Sequence, residues 1–206
     1  MLHLAPAPPA LKVSEQDYLD HYAHDHYEWL EGELIPPVSV HDVHDDLSQF
    51  FIILLRAYLN FRQIGVLRTH PFVMRHPQGR SFREPDLMLI LNEHRDRLKP
   101  TLLLGPADLA IEIISPESED RDYEVKFAEY ARMGVPEYWI IDPYQPAAHF
   151  YRLDEAGGYQ EQTPAEGVYS TPLLPDFRLQ VELLWQSPLA DILQIVAMVK
   201  TMLGEG

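Results

Sequence analysis

The strongest periodic signal in the chain lies at residues 42–60. There Val43, Leu47, Phe50, Phe51, Leu54 and Tyr58 recur at i, i+4, i+7, i+8, i+11 and i+15, which is one face of a long amphipathic helix. Ahead of it, residues 14–23 predict a short helix with Ser14 as N-cap and Asp17 three residues on. Residues 27–35, YEWLEGELI, alternate around a glycine and predict strands about a turn. After the long helix, strands are predicted over 66–75 and 86–91, joined by the turn signal at Pro77–Gly79. Residues 92–108 read as a polar loop with two prolines.

The pattern changes at residues 109–115, LAIEIIS. This apolar run is broken only by Glu112, as expected of a central strand buried on both faces, and Ser115 and Pro116 close it. A helix over 119–133 follows, with Tyr123, Phe127, Tyr130 and Ala131 on one stripe and Gly134 as its C-cap. Residues 137–141 predict the next strand, stopped by Asp142 and Pro143. Strand, helix, strand in this order predicts a right-handed crossover between neighbouring parallel strands. A hairpin of residues 148–153 and 158–162, turning at Gly157 and Gly158, and a helix over 189–203 complete an α/β domain.

A length of 206 residues with 46% hydrophobic content supports one well-buried core. Residues 1–13 read as a flexible arm and 14–206 as the single domain. The arm is interrupted by Pro6, Pro8 and Pro9 and lacks the basic region of a signal peptide. No period of roughly 20–50 residues marks a solenoid or propeller. The absence of cysteine excludes disulfides, thiolate metal sites and a cysteine nucleophile, and fits a reducing compartment. With apolar stretches too short or too amphipathic to span a bilayer, the expectation is a cytoplasmic protein without a membrane partner.

Charge complicates the picture. Sixteen Lys and Arg against 32 Asp and Glu give a formal net charge of −16, which disfavours a nucleic-acid partner. Its distribution is uneven. Residues 1–55 hold one cation, Lys12, against ten acids. Residues 68–99 hold seven cations against four acids: Arg68, Arg75, Arg80, Arg83, Arg95, Arg97 and Lys99. That strip reads either as a phosphate-contacting surface or as a solvated hairpin and loop.

Two carboxylates stand out chemically. Asp86 is the only charge within DLMLIL (86–91), and Glu112 the only charge within LAIEII (109–114). Burying an isolated carboxylate is expensive unless it is paired or binds a metal. On adjacent strands the two would share one hard cation, and Mg²⁺ suits a site with few carboxylates. The ordinary alternative is that Asp86 merely opens its strand and Glu112 pairs with an arginine. Lys126, four residues after Asp122, sits at the border of the helix stripe, where its ammonium would reach the sheet edge. It reads either as a stabiliser of developing phosphate charge or as an i,i+4 partner of Asp122. His41 and His44, with His21, His24 and His26, lack a further ligand at a diagnostic zinc spacing, and His44 alone fits a cleft-lining role.

These residues fall into a familiar series: YEWLEGELI (27–35), His44 opening the long helix, EPDLMLI (84–90), LAIEIISPES (109–118), Asp122 and Lys126, and YARMGVPEYWIIDP (130–143). The series resembles a bacterial restriction-endonuclease-like family, formerly a domain of unknown function, within the PD-(D/E)XK nuclease superfamily. The resemblance runs from about Ser14 to Leu184. It implies a central mixed sheet flanked by helices, with Asp86 as the PD aspartate and Glu112 as the second acid. It further implies that the Ile113 backbone carbonyl joins Asp86 and Glu112 as a metal ligand. Ile114 stands where the superfamily pattern has lysine, and Lys126 matches the family's relocated lysine. Glu33, in the GEL element, matches an additional acid, and His44 matches a position near the same cleft. The implied activity is Mg²⁺-dependent phosphodiester hydrolysis, of DNA foremost, with Mn²⁺ substituting and a homodimer as the working form.

A rival reading is a nuclease-fold interaction or regulatory module with little catalytic activity. Leu189, Ile192, Ile195, Val196 and Val199 would then offer a partner surface, although the same stripe reads as core or as a homodimer interface.

Overall fold

The computed structural model describes residues 12–37, 41–79 and 81–205, which carry two main β-sheets and four α-helices. Met1–Leu11 of the expected arm and Arg80 of the basic strip lie outside the described residues. Helix α1 (Glu15–His21) begins at Ser14, whose hydroxyl accepts from the Asp17 amide, as the capping pattern predicts. A hairpin follows, β1 (Glu28–Leu30) and β2 (Glu33–Ile35), pairing Trp29 with Leu34. Helix α2 (Asp42–Arg62) then buries Leu47, Phe50, Phe51, Leu54, Leu55, Tyr58 and Leu59, the stripe expected from its period. Val43, at its first turn, stays 39% exposed.

The segment read as one strand over 66–75 is two strands in different sheets. Strand β3 (Gly65–Thr69) pairs with β6 (Leu87–Leu91), whereas β4 (Val73–Arg75) pairs with β5 (Ser81–Arg83). Pro71 lies at the break, and a residue without an amide hydrogen cannot continue a ladder. The turn at 77–79 therefore closes the β4–β5 hairpin rather than joining β3 to β6. The polar loop read over 92–108 holds a 3-10 turn (Asn92–Arg97) and a short strand, β7 (Leu102–Leu104), parallel to β4.

Strand β8 (Leu109–Ile113) is buried throughout, as its apolar run predicts. It pairs antiparallel with β6 and parallel with β9 (Glu137–Asp142). Between β8 and β9 the predicted helix opens as a π-helical turn (Arg121–Lys126) and continues as α3 (Phe127–Met133), capped by Gly134 at φ +85°. Strands β10 (Ala147–Leu153) and β11 (Tyr159–Glu161) extend the sheet, giving the order β11-β10-β9-β8-β6-β3. The smaller sheet runs β2-β1-β5-β4-β7, and β12 (Val168–Tyr169) and β13 (Leu179–Gln180) form a separate pair. Helix α4 (Ile192–Leu203) starts at the Asp191–Gln194 capping box.

Alternation along the central strands divides the core. Leu87, Leu89, Leu109, Ile111, Ile113, Trp139 and Ile141 pack with α2 and with Ile195, Val199 and Leu203 of α4. Met88, Ile90, Ala110, Ile114, Tyr138 and Ile140 pack on the other face with Tyr130 and Met133 of α3. The α4 stripe is thus core at Ile195 and Val199, while Ile192 is 58% exposed. No helix among the described residues is long and apolar enough to cross a membrane.

Candidate active site

Asp86 stands one residue before β6, and Glu112 lies within β8. Leu87 pairs with Ile111 at the end of this antiparallel ladder, so Asp86, the residue before it, lies alongside the Glu112 end of β8. Alternation puts Glu112 on the same side of the sheet as Ala110, where Tyr130 of α3 meets it. Asp86 Oδ2 accepts from the Ile113 amide at 2.7 Å and lies 3.1 Å from His44 Nε2. His44 comes from the first turns of α2. Glu112 is 2% exposed, and its Oε1 accepts from the Tyr130 hydroxyl at 2.7 Å.

Lys126 completes the group. Its Nζ is 2.9 Å from Glu112 Oε2, 2.9 Å from Asp122 Oδ1 and 3.9 Å from Glu28 Oε1. Asp122 and Lys126 are both buried on the π-helical turn. A wide turn of this kind recurs at functional sites in helices, and here it carries a lysine into the carboxylate cluster. Asp86, Glu112, Ile113, His44, Asp122 and Lys126 all line one cleft of about 540 Å³.

A family model described as Uma2, putative restriction endonuclease, matches residues 15–182. The chain belongs to the Uma2 family. Among solved structures it is similar to a putative nuclease belonging to DUF820 from Anabaena variabilis ATCC 29413. That likeness has a TM-score of 0.72 at 16% identity, covering 84% of this chain and 97% of the other, and it shows a shared fold. No curated protein matches the chain.

Within this Uma2 fold one expected residue stands apart. Glu33 is exposed on β2, paired across the hairpin with Leu30 and bridged to Lys12, and it does not line the cleft. Glu28, on the other strand of the same hairpin, occupies the cleft instead. Its Oε1 accepts from the Glu84 amide and its Oε2 from Arg83, both at 3.0 Å. The physical reason is position along the hairpin: Glu28 pairs with Ile35 at its open end, beside the cleft-lining Pro36 and Pro37, whereas Glu33 pairs with Leu30 next to the turn.

The basic strip also divides. Arg83 is fully buried, clamped between Glu28 and Glu129 by hydrogen bonds of 2.6–3.0 Å. Arg75 pairs with Glu15, Arg97 donates to the Pro106 carbonyl, and Lys99 donates to the Asp96 carbonyl. These four cations are each held by a partner of their own.

Sequence reasoning missed Glu28, Glu84, Arg121 and His70 and set His26 aside; all five also line the Uma2 cleft. It read Tyr130 only as core. One local signal was present: Arg83-Glu84-Pro85-Asp86 packs three charges immediately before an apolar strand.

The electrostatics follow from this crowding. Burial pushes the Glu112 carboxyl above the usual range; Lys126 opposes that, and the charges of Asp122, Asp86 and Glu28 reinforce it. Burial alone would lower Lys126, but Asp122, Glu112 and Glu28 hold it above its ordinary value, so it stays charged. Burial also opposes the charge on Glu28, yet Lys126, Arg83, Arg121 and the Glu84 amide outweigh it and hold the carboxyl at about 2. For His44, the bond to Asp86 and the nearby acids outweigh burial and raise the imidazole. A divalent cation fits this site on two grounds. Asp86 and Glu112 are both carboxylates, the donor type a hard dication takes, and Asp122, Asp86 and Glu28 add negative charge around the buried Glu112 that a cation would relieve.

Proposed function

We propose that the cleft is the active site of a metal-dependent nuclease that hydrolyses phosphodiester bonds, DNA foremost, with Mg²⁺ as its ion and Mn²⁺ able to replace it. The observation that carries this reading is the convergence of Asp86, Glu112 and Lys126 on one cleft, with the Lys126 ammonium 2.9 Å from Glu112. Asp86 and Glu112, with the Ile113 carbonyl, would hold the ion. When bound, such an ion polarises the scissile phosphate and makes an attacking water more acidic.

The chain's own groups supply the rest. Lys126 presents a fixed positive charge where charge grows on the phosphate in the transition state. Asp122 and Glu28 orient that ammonium. His44 holds one Asp86 oxygen, and the Ile113 amide donates to the same atom, so the carboxylate cannot rotate freely. Tyr130 does the same for Glu112 from the α3 side. Membership of a family described as putative restriction endonucleases supports the reaction class. Cutting both strands of a duplex calls for two such clefts, so a homodimer belongs to the same proposal.

The test is an incubation of pure protein with Mg²⁺ or Mn²⁺ and end-labelled linear, supercoiled, single-stranded and branched DNA, plus RNA. The Asp86→Asn/Glu112→Gln and Lys126→Ala variants run beside it. Metal-dependent cleavage lost in both variants establishes the reading, and the preferred substrate identifies the class. Cleavage that persists in the variants removes the site assignment. No cleavage of any substrate together with no Mg²⁺ or Mn²⁺ binding would favour the interaction module.

A further inference from the structure

A second cluster in the same cleft is not used by that chemistry. Glu84 follows β5, and its side chain is only 3% exposed. Its ion pairs among the described residues are both with imidazoles: His70 Nε2 lies 3.0 Å and His26 Nδ1 3.8 Å from Oε2. Glu84 Oε1 is buried without a hydrogen bond. A buried carboxylate lacking Lys or Arg is an expensive arrangement unless a cation serves it.

The three groups arrive from three separate places. His26 follows α1 in a left-handed conformation, φ +60° and ψ +26°, which only a minority of non-glycine residues adopt. His70 follows β3, where its amide donates to the Asp86 carbonyl. The two rings stand with centroids 5.4 Å apart at 47°. One ligand atom from each residue lies within 4.8 Å of the others. Bonds of about 2.0–2.2 Å to a tetrahedral ion would set donor atoms roughly 3.3–3.5 Å apart, so small side-chain adjustments would close the site.

We propose that His26, His70 and Glu84 form a binding site for a transition-metal dication, Zn²⁺ foremost, separate from the Asp86–Glu112 site and open to the same cleft. Donor chemistry separates the two. Two imidazoles and a carboxylate suit Zn²⁺ and its neighbours, whereas carboxylate and carbonyl oxygens suit Mg²⁺. Three protein ligands leave at least one coordination position for water or for an oxygen of a bound molecule. The Glu84-Pro85-Asp86 segment would serve both sites, one acid to each. The proposal does not depend on cleavage, because a protein that cuts nothing can still bind the ion here.

Tag-free protein is titrated with Zn²⁺ alone by calorimetry and with Co²⁺ alone by visible absorption. Variants are His26→Ala/His70→Ala, Glu84→Gln and Asp86→Asn/Glu112→Gln, each checked for folding by circular dichroism. Both histidines are substantially exposed, so the double histidine variant is expected to fold. The expected result is one tight Zn²⁺ and a Co²⁺ band, both weakened at least tenfold in the histidine and Glu84→Gln variants. Both should be retained within about threefold in Asp86→Asn/Glu112→Gln. Zn²⁺ binding unchanged without the two histidines would overturn the proposal. So would wild type that binds no Zn²⁺, or binding lost only with Asp86 and Glu112.

Discussion

Lys126 Nζ sits 2.9 Å from Glu112 Oε2, so the helix following β8 returns its ammonium to the acid that β8 carries. Each group is buried, and each makes the other's charge tolerable. Asp122, Glu28 and Asp86 nevertheless leave the cluster with more acids than Lys126 can balance. That concentration of acids, rather than any single contact, is what supports the proposed cation site.

Metal binding should therefore appear as stability. Mg²⁺ or Mn²⁺ at a hundred times its Kd stabilises the folded state by about 2.7 kcal/mol. For a chain of this size that corresponds to a Tm rise of roughly 5–10 °C. Asp86→Asn/Glu112→Gln should abolish the rise in differential scanning calorimetry. An undiminished rise in that variant would remove both residues from the metal site.

Lys126→Ala separates positioning from binding. Cleavage should fall by about 10²–10³ with the metal-induced Tm rise retained, because the lost charge acts on the transition state. Single-turnover assays below the variant's own Tm make the comparison. A variant that cuts at the wild-type rate would assign Lys126 to stability alone.

Arg83 has a structural task, tying β1 to α3 through Glu28 and Glu129. Arg83→Met should cost about 3–5 kcal/mol in urea unfolding, because both carboxylates stay buried without their partner. A loss below about 1 kcal/mol would show that those acids reach water or another cation.

Acid should act on Glu28 late. Its folded-state carboxyl titrates at about 2, below the ordinary 4.5. The stabilisation from this depressed group is fully present above pH 4.5 and is lost as pH falls through 2. Linkage puts its size at about 3 kcal/mol. Urea titrations from pH 5 to 2 should show Glu28→Gln with a flatter stability profile than wild type. Parallel profiles would contradict the assignment.

Much of this protein was legible in its sequence, for reasons local to the chain. Helix α2 follows from a 3.6-residue period, and β8 from an apolar run that only a doubly covered strand carries. Asp86 and Glu112 were conspicuous because each is the sole charge in an otherwise apolar run, and the lysine on the next helix matched a family position. Such signals survive in sequence because burial imposes them residue by residue.

Tertiary structure decided what depended on pairing between distant segments. Glu28 rather than Glu33 enters the cleft because the hairpin presents its open end there, where Glu28 pairs with Ile35, and not its turn, where Glu33 pairs with Leu30. The 66–75 segment divides between two sheets because the chain crosses from one to the other around Pro71. His26, His70 and Glu84 converge from three places with no shared spacing. The pairing of Leu87 with Ile111, which brings Asp86 alongside β8, is likewise a matter of register. Register is set by which faces find a core to cover, and no local run of residues specifies that.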